Sequence, residues 1–405
     1  MKVLSLASST LMGALWGALV PVLALLFLEP AQYGSFSTIY LIFAYGVSLQ
    51  YSIVSEAWAR ARLRYRKVTN WSSYSSTLFI LALTIGAVAL SVSLILLEVR
   101  EIAVWLGVAV CLGIYRSGAR YHRMAVGLTR QVILADFLGI SAFVAVLVSV
   151  HGPERTAVLS MAWAASGSIS VIALGLPVLY VGSGPIRWWR MHKRDITPLL
   201  ADSTLMDVGA IGAPFLLAGF MGPKNFGLYR GVANAAMPVR LLLDPLRPTI
   251  GRKPPGFFFQ RPVLWLIFGI SFTFAALCYL ALELLVPRLP MRLGTLSELA
   301  VFSHQAAVFA AASFLGTLFY VVCRNSGSRR TIMTGRILQT FLVVAMPVIG
   351  FVFMGLPGAV WGFAVSASVS AVIWLCLAIP REAGAIRQAR VQQKLQSGLI
   401  RDSSK

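Results

Sequence analysis

Apolar segments long enough to cross a membrane recur along the whole chain and leave little room for any other architecture. A span needs roughly 20 apolar residues. The segments of that length lie at 4–27, 35–58, 76–97, 102–122, 131–150, 156–180, 200–221, 227–250, 263–286, 300–323, 335–354 and 357–379. Charged residues make up 12% of the chain, whereas they make up about 25% of a soluble domain. The sequence therefore predicts an all-α polytopic membrane protein with about 12 transmembrane helices.

Basic residues alternate from one connection to the next. The connection after the second segment carries Arg60, Arg62, Arg64, Arg66 and Lys67, and the later even-to-odd connections are similarly basic. The odd-to-even connections are nearly neutral, because their few basic residues are mixed with glutamates. Since cytoplasmic loops carry an excess of Lys and Arg, we expect both termini in the cytoplasm. The net charge of +21 then reflects topology and not a nucleic-acid partner.

A short turn motif occurs once in each half of the chain. Residues 29–37 read E-P-A-Q-Y-G-S-F-S, and residues 222–230 read G-P-K-N-F-G-L-Y-R. The Pro, the first aromatic residue, the Gly and the second aromatic residue match at one constant offset, and Pro21 matches Pro214 at that same offset. Six spans in each half, both beginning in the cytoplasm, make a parallel repeat, and in transporters the substrate path lies between such halves. We expect an N-terminal six-helix lobe at 1–181, a cytoplasmic linker at 182–199, a C-terminal six-helix lobe at 200–380 and a basic cytoplasmic tail at 381–405.

The turn motifs and the twelve-span layout together resemble one superfamily. The stretches P-A-Q-Y-G-S-F-S and G-P-K-N-F-G-L-Y-R-G-V-A-N-A-A-M-P resemble the Wzx-like polysaccharide flippases of the multidrug/oligosaccharidyl-lipid/polysaccharide (MOP) exporter superfamily. The resemblance implies two pseudo-symmetric lobes in a V-shaped, MATE-like arrangement in the bacterial inner membrane. It implies a flippase that moves an undecaprenyl-pyrophosphate-linked oligosaccharide across the membrane by alternating access, for the biosynthesis of O antigen, capsule or exopolysaccharide.

Two alternatives stay open beside this interpretation. The chain could be a MOP-type exporter of small amphipathic molecules, or a membrane component (polymerase or scaffold) of a glycan-assembly complex. The partners expected on the leading interpretation are the lipid-linked oligosaccharide, membrane lipid, H⁺ or Na⁺ as a coupling ion, and polysaccharide-assembly proteins. The sequence has no nucleotide-binding loop, no zinc-protease motif and no nucleophile elbow. We therefore expect a transporter without a cofactor or metal, and not an enzyme.

One arginine lies near the middle of a predicted span. Arg240 and Asp244, in the eighth segment, are four residues apart and share a helical face. A guanidinium can bind two phosphate oxygens at once. Arg240 is therefore predicted to contact the diphosphate of the substrate, with Asp244 holding its rotamer. The alternative is a structural ion pair inside the bundle.

Further charges lie at the predicted cytoplasmic ends of the spans. Arg116, Arg120 and Arg123 share one face of the fourth segment. Arg116 and Arg120 are predicted to line a cationic vestibule for diphosphate, or else to anchor the helix by snorkelling. Asp136, one turn inside the fifth segment, is interpreted as their charge partner. Asp207, in the seventh segment, is predicted to be the coupling site for H⁺ or Na⁺, or else an acid favoured by the helix dipole.

Prolines and tryptophans complete the set of candidates. Pro21 and Pro214 interrupt the first span of each half, and Pro238 lies two residues before Arg240. All three are predicted hinges, because proline removes a helical hydrogen bond and permits bending. Trp188 and Trp189 are predicted anchors at the membrane surface.

Overall fold

A computed structural model gives the fold of the chain. It describes residues 2–65, 71–96, 100–150, 154–178, 185–235, 255–288, 293–326 and 329–379, together with Val239, Leu243 and Ile250. Three predicted site residues, Pro238, Arg240 and Asp244, lie outside the described residues, and so does the basic tail. Throughout the described part the regular structure is helical, which confirms the predicted all-α fold.

The helices follow one another with short connections. Their bounds are α1 Lys2–Phe27, α2 Pro30–Gln50, α3 Glu56–Tyr65, α4 Trp71–Leu96, α5 Arg100–Ala125, α6 Thr129–Ser149, α7 Arg155–Leu174, α8 Pro185–Asp207, α9 Ala213–Ala235, α10 Arg261–Leu280, α11 Gly294–Glu298, α12 Ser303–Ser326 and α13 Arg329–Ala378. Wider π-helical turns at Tyr51–Ser55 and Val208–Gly212 join α2 to α3 and α8 to α9, and a third, Ala281–Leu285, follows α10. Such turns leave backbone groups out of the regular helical pattern and are frequent at functional sites.

Two glycines divide long helices into pairs of spans. Gly222 in α9 and Gly355 in α13 have φ angles of 70° and 63°, a region that glycine enters without a steric penalty. The chain turns back on itself at Gly355, which brings the Gly358 carbonyl directly against Gly350. A proline follows each break, at Pro223 and at Pro357. The repeated turn at 222–230 is therefore a true break between two helices.

The described helices account for the predicted spans. Nine described stretches are long and apolar enough to cross a membrane. Two of them, Pro185–Asn234 and Arg330–Ala378, contain the breaks at Gly222 and Gly355 and so cover two predicted spans each. The shorter apolar stretch Leu15–Phe27 belongs to the first span. The eighth span is described continuously only as far as Ala235.

Buried apolar side chains gather separately in the two halves. The first cluster extends from Trp16 to Leu199 and includes the fully buried rings of Trp58 and Trp163. The other clusters draw on residues from Ile211 onward, apart from Leu41 on α2. The halves meet mainly where α2 packs on α9. The lobe boundaries themselves stay a prediction.

The start of α2 shows how the first repeated turn is built. Pro30 occupies the first turn of the helix, where its missing N–H costs nothing. Glu29 caps the helix, and its backbone N–H donates to the side-chain oxygen of Gln32 at 3.3 Å. This reciprocal capping fixes the direction in which α2 leaves the turn.

Candidate functional site

A cluster of three charged residues, two of them buried, lies inside the first half of the molecule. Arg116 and Arg120, one turn apart on α5, both donate to the carboxylate of Asp136 on α6. The Arg116 Nη2–Asp136 Oδ1 and Arg120 Nε–Asp136 Oδ2 distances are 2.5 and 3.1 Å. The side chains of Arg116 and Asp136 are 4% and 0% exposed. The structure therefore places these three predicted residues together, and we call them the charge centre.

The charge centre also contacts the first helix. The guanidinium carbon of Arg116 lies 3.6 Å from the centre of the Trp16 ring, a cation–π contact. The indole of Trp16 donates to Ser166 Oγ on α7 at 2.8 Å. Gly13 faces the Arg120 guanidinium so closely that a side chain there would require the guanidinium to move. Four helices thus meet at the charge centre.

The two repeated turns meet at the contact between α2 and α9. A Cβ on Gly34 would overlap the Pro223 carbonyl oxygen, and a Cβ on Gly227 would overlap the Pro30 carbonyl oxygen. These glycines are the matching positions of the repeat, so the repeat axis passes between them. We call the α2–α9 contact the seam. A hydrogen bond of 2.5 Å from Asn234 Nδ2 to the Tyr33 hydroxyl also crosses it.

The predicted outer end of α1 is held by both halves of the molecule. The backbone N–H and the hydroxyl of Thr295 both donate to the Leu28 carbonyl, at 2.7 and 2.8 Å. Arg155 donates to the Phe27 carbonyl at 3.2 Å. These bonds satisfy carbonyls that the end of a helix leaves without partners. With the glycine contact, they close the predicted outer end of the seam.

An arginine that sequence reasoning missed lies at the seam. Arg230, two turns after the break at Gly222, is half-buried, and its Nε has no hydrogen-bond partner among the described residues. Its charge acts on the hydroxyls of Tyr33 and Tyr40 on α2 and of Tyr229 beside it. We call Arg230, Tyr33, Tyr40 and Asn234 the seam cluster. The repeat held a signal for it, because Arg230 aligns with the small, neutral Ser37.

Asp207 lies on the predicted cytoplasmic side of the molecule. It is buried, it lies close to Ser48 on α2, and its Oδ2 has no hydrogen-bond partner within the described part of the chain. One turn earlier, Ser203 accepts a bond from the Ser52 hydroxyl at 2.8 Å. The π-helical turn Val208–Gly212 begins directly after Asp207. A carboxylate with one open oxygen therefore lies between the two halves.

The remaining sequence predictions have mixed outcomes. α1 remains helical through Pro21, and Pro214 follows the π-helical turn that joins α8 to α9. Their hinge role stays a prediction. Trp188 is 1% exposed, so its predicted role as a surface anchor is wrong. No group of three or more His, Cys, Asp or Glu side chains in the described ranges could hold a metal ion.

The whole architecture matches known transporters. An inward-facing multidrug resistance MATE family transporter of the MOP superfamily superposes with a TM-score of 0.61 at 14% identity, over 95% of this chain and 96% of that one. This chain has the MATE fold. The eukaryotic MATE transporter AtDTX14 gives a TM-score of 0.53 at 13% identity, over 96% and 99% of the two chains. A mutant of the Vibrio cholerae MATE transporter VcmN gives 0.54 at 15% identity, over 95% and 98%. No family model and no curated protein matches the sequence.

Proposed function

We propose that this protein is a flippase that translocates an undecaprenyl-pyrophosphate-linked oligosaccharide across the cytoplasmic membrane by alternating access. The observation that carries the proposal is Arg230, a half-buried cation at the seam that no carboxylate neutralises within the described residues. An unpaired charge inside a bilayer is costly and is generally kept for function. A diphosphate passing along the seam would supply the missing negative charge.

The groups around Arg230 suit a phosphate. A guanidinium presents a planar fork of N–H donors that matches two phosphate oxygens. The Tyr33 and Tyr40 hydroxyls and the Asn234 amide are neutral polar groups within electrostatic range of the same surface, and their present partners are the Gly17 carbonyl and one another. Such a set binds an anion without requiring a counter-ion from the protein. The long polyprenyl chain of the substrate can remain in lipid while its charged head follows the seam.

Alternating access requires that the contacts between the halves break and form again. The contacts at Gly34 and Gly227 close the predicted outer end, while Ser48 and Asp207 meet further toward the predicted cytoplasmic side. Asp207 is the proposed coupling site, since a carboxylate with an open oxygen can take up H⁺ or bind Na⁺. Its contact with α2 at Ser48 would then depend on whether the ion is bound.

Export of a small amphipathic cation is the second candidate, and Asp207 is the observation that favours it. Its open carboxylate oxygen could pair with a cationic substrate, and one protein of similar structure is a multidrug resistance transporter. The two candidate functions differ in the sign of the charge on the substrate. Arg230 favours an anionic substrate. The Asp207 carboxylate could bind a coupling cation or a cationic drug equally well.

Reconstitution distinguishes the two candidates. The protein is placed in vesicles that carry a fluorescent polyprenyl-diphosphate sugar, the matched monophosphate sugar, or a lipophilic fluorescent cation. Movement of the diphosphate across the bilayer is measured by its accessibility to a membrane-impermeant quencher. We expect the diphosphate to move faster than the monophosphate and the cation not to move. Movement of the cation alone would instead identify the drug exporter, and movement of no substrate would overturn both.

A further inference from the structure

The first part of α8, residues 185–199, is a helix with two different faces. One face is buried against the first half of the molecule, and its members are Trp188, His192, Asp195, Ile196 and Leu199. The opposite face is exposed and carries Arg190, Lys193 and Arg194. This exposed surface, which we call the α8 outer face, has no role in the proposed transport path.

The buried face is fixed by specific contacts. The Trp188 indole donates to the Ile53 carbonyl at 2.9 Å. That carbonyl belongs to the π-helical turn Tyr51–Ser55, where the regular helical bonding is interrupted. The Trp188 ring also packs on His192, with ring centres 4.3 Å apart. The helix is therefore docked in one orientation, and its outer face is the side left uncovered.

The direction of α8 follows from where its residues touch the second span. Trp188 and Ser203 are separated by about four helical turns, or roughly 22 Å along a straight helix. Even so, they bond to the neighbouring residues Ile53 and Ser52. A straight helix could not bring residues so far apart onto neighbouring partners, so α8 bends between them, where Pro198 lies. The part before Pro198 therefore runs in a different direction from the seventh span, an orientation that suits a helix lying in the plane of the membrane surface.

The α8 outer face mixes cations with large apolar side chains. Ile186 is 71% exposed and Trp189 is 42% exposed, and both lie among the basic residues. Exposing such apolar side chains to water is unfavourable in free energy. At the boundary between headgroups and acyl chains both kinds of group are satisfied, because the rings and alkyl stems enter the lipid and the charges meet headgroups.

We propose that the α8 outer face is a binding surface for anionic phospholipid headgroups of the cytoplasmic leaflet. The lipid, and not a protein, fits because the face combines a row of cations with an interfacial tryptophan on a docked helix. Since α8 continues from this surface to Asp207, bound headgroups would fix the position of the seventh span relative to the membrane.

Lipid retention on the intact protein tests this proposal. The purified full-length chain is equilibrated with mixtures of phosphatidylglycerol and phosphatidylethanolamine, and the bound lipids are counted by native mass spectrometry. The test variant is Arg190→Gln/Lys193→Gln/Arg194→Gln. The matched control, Arg60→Gln/Arg130→Gln/Arg330→Gln, removes as many exposed basic residues from the same predicted side. Each cation that contacts a lipid headgroup adds about fivefold to the preference for an anionic lipid, and the proposal places the cations of the α8 outer face, not those of the control, in that contact.

We expect the test variant to lose roughly tenfold or more of its preference for phosphatidylglycerol, while the control keeps most of it. Both variants should unfold at the temperature of the parent, since the changed residues are exposed. The single variants should each lose a part of the preference, which guards against a folding defect in the triple variant. If the test variant and the control keep the same preference for phosphatidylglycerol, the proposal is overturned. This result does not depend on which substrate is transported.

Discussion

Two arginines in the spanning helices, Arg116 and Arg230, lie in opposite situations. Arg116 is bonded to Asp136 inside the first half and stacks on Trp16. Arg230 lies between the halves among tyrosines, with its Nε unbonded among the described residues. A paired charge holds helices together, whereas an unpaired charge at a contact that must open is available to a ligand. The pairing state separates the structural arginine from the candidate binding residue.

The pairing of Arg116 and Arg120 with Asp136 also bears on the predicted cationic vestibule. The spacing of Arg116 and Arg120 suits a diphosphate, but both side chains bond to one carboxylate. A substrate phosphate would have to compete with Asp136 for them. The binding role of Arg116 and Arg120 stays a prediction, while their shared bond to Asp136 gives them a structural role that stability measurements can test.

The largest expected effect comes from removing the shared carboxylate. Asp136→Ala would remove the carboxylate that Arg116 and Arg120 share and leave the buried Arg116 guanidinium without its counter-charge, which costs about 3–5 kcal/mol of stability when a buried pair is broken. Thermal unfolding in detergent should show a large decrease in midpoint. The control is Glu298→Ala, an exposed carboxylate. If the unfolding midpoint decreases no more than it does in the control, the charge centre does not stabilise the fold.

Arg230 should show the opposite combination of effects. Arg230→Gln removes a charged donor worth about 1.5–3 kcal/mol per hydrogen bond, so transport of the diphosphate lipid should fall roughly 10- to 100-fold. The unfolding midpoint should stay near that of the parent, because no ion pair is broken among the described residues. Arg230→Lys should recover part of the rate, since it restores the charge but not the fork.

Arg288→Gln is the matched control for Arg230, because Arg288 is an exposed arginine on the same predicted outer side and takes no part in the seam contacts described above. It should transport at close to the parental rate. If Arg230→Gln also transports normally while folded, Arg230 is not a diphosphate ligand and the contrast with Arg116 loses its functional meaning.

A smaller effect is expected at the glycine contact. Gly34→Ala places a methyl group where the Pro223 carbonyl already lies, and such overpacking costs about 1–3 kcal/mol. The unfolding midpoint should decrease, and cross-linking between cysteines introduced on either side of the seam should slow. Gly269→Ala is the control, since nothing lies within 4 Å of a Cβ there. Equal behaviour of the two variants would mean that the seam is not closed at this point.

The sequence is enough to predict the helical framework, and it leaves the site only partly visible. Apolar length indicates the spans, and the repeat offset places Gly34 and Gly227 at matching positions. Helical spacing likewise brings Arg116, Arg120 and Asp136 together, because short connections make consecutive helices neighbours. These are local or symmetric relations, which a sequence records directly.

Relations across the seam are not visible in the same way. In the sequence Arg230 is part of a turn motif, and its tyrosine neighbours on α2 lie in the other half of the chain. Tryptophan favours membrane surfaces, which makes Trp188 resemble an anchor, yet its indole donates to a carbonyl in an irregular turn of another helix. Neither partner can be identified without the packing of helices that are distant in the chain.

Replacing Asp207 is expected to have the smallest effect on stability and the most specific effect on transport. Asp207→Asn keeps the size and an acceptor oxygen of the side chain close to Ser48 but removes the charge that takes up H⁺ or attracts Na⁺. Stability should change by no more than about 1 kcal/mol, since no ion pair is lost within the described residues. Transport measured with and without an imposed proton or sodium gradient should lose its dependence on the gradient. Ser48→Ala, which removes the neighbouring hydroxyl but leaves the carboxylate, should keep that dependence. If Asp207→Asn still responds to the gradient, the coupling ion binds elsewhere, and the seam has one functional charge, Arg230, instead of two.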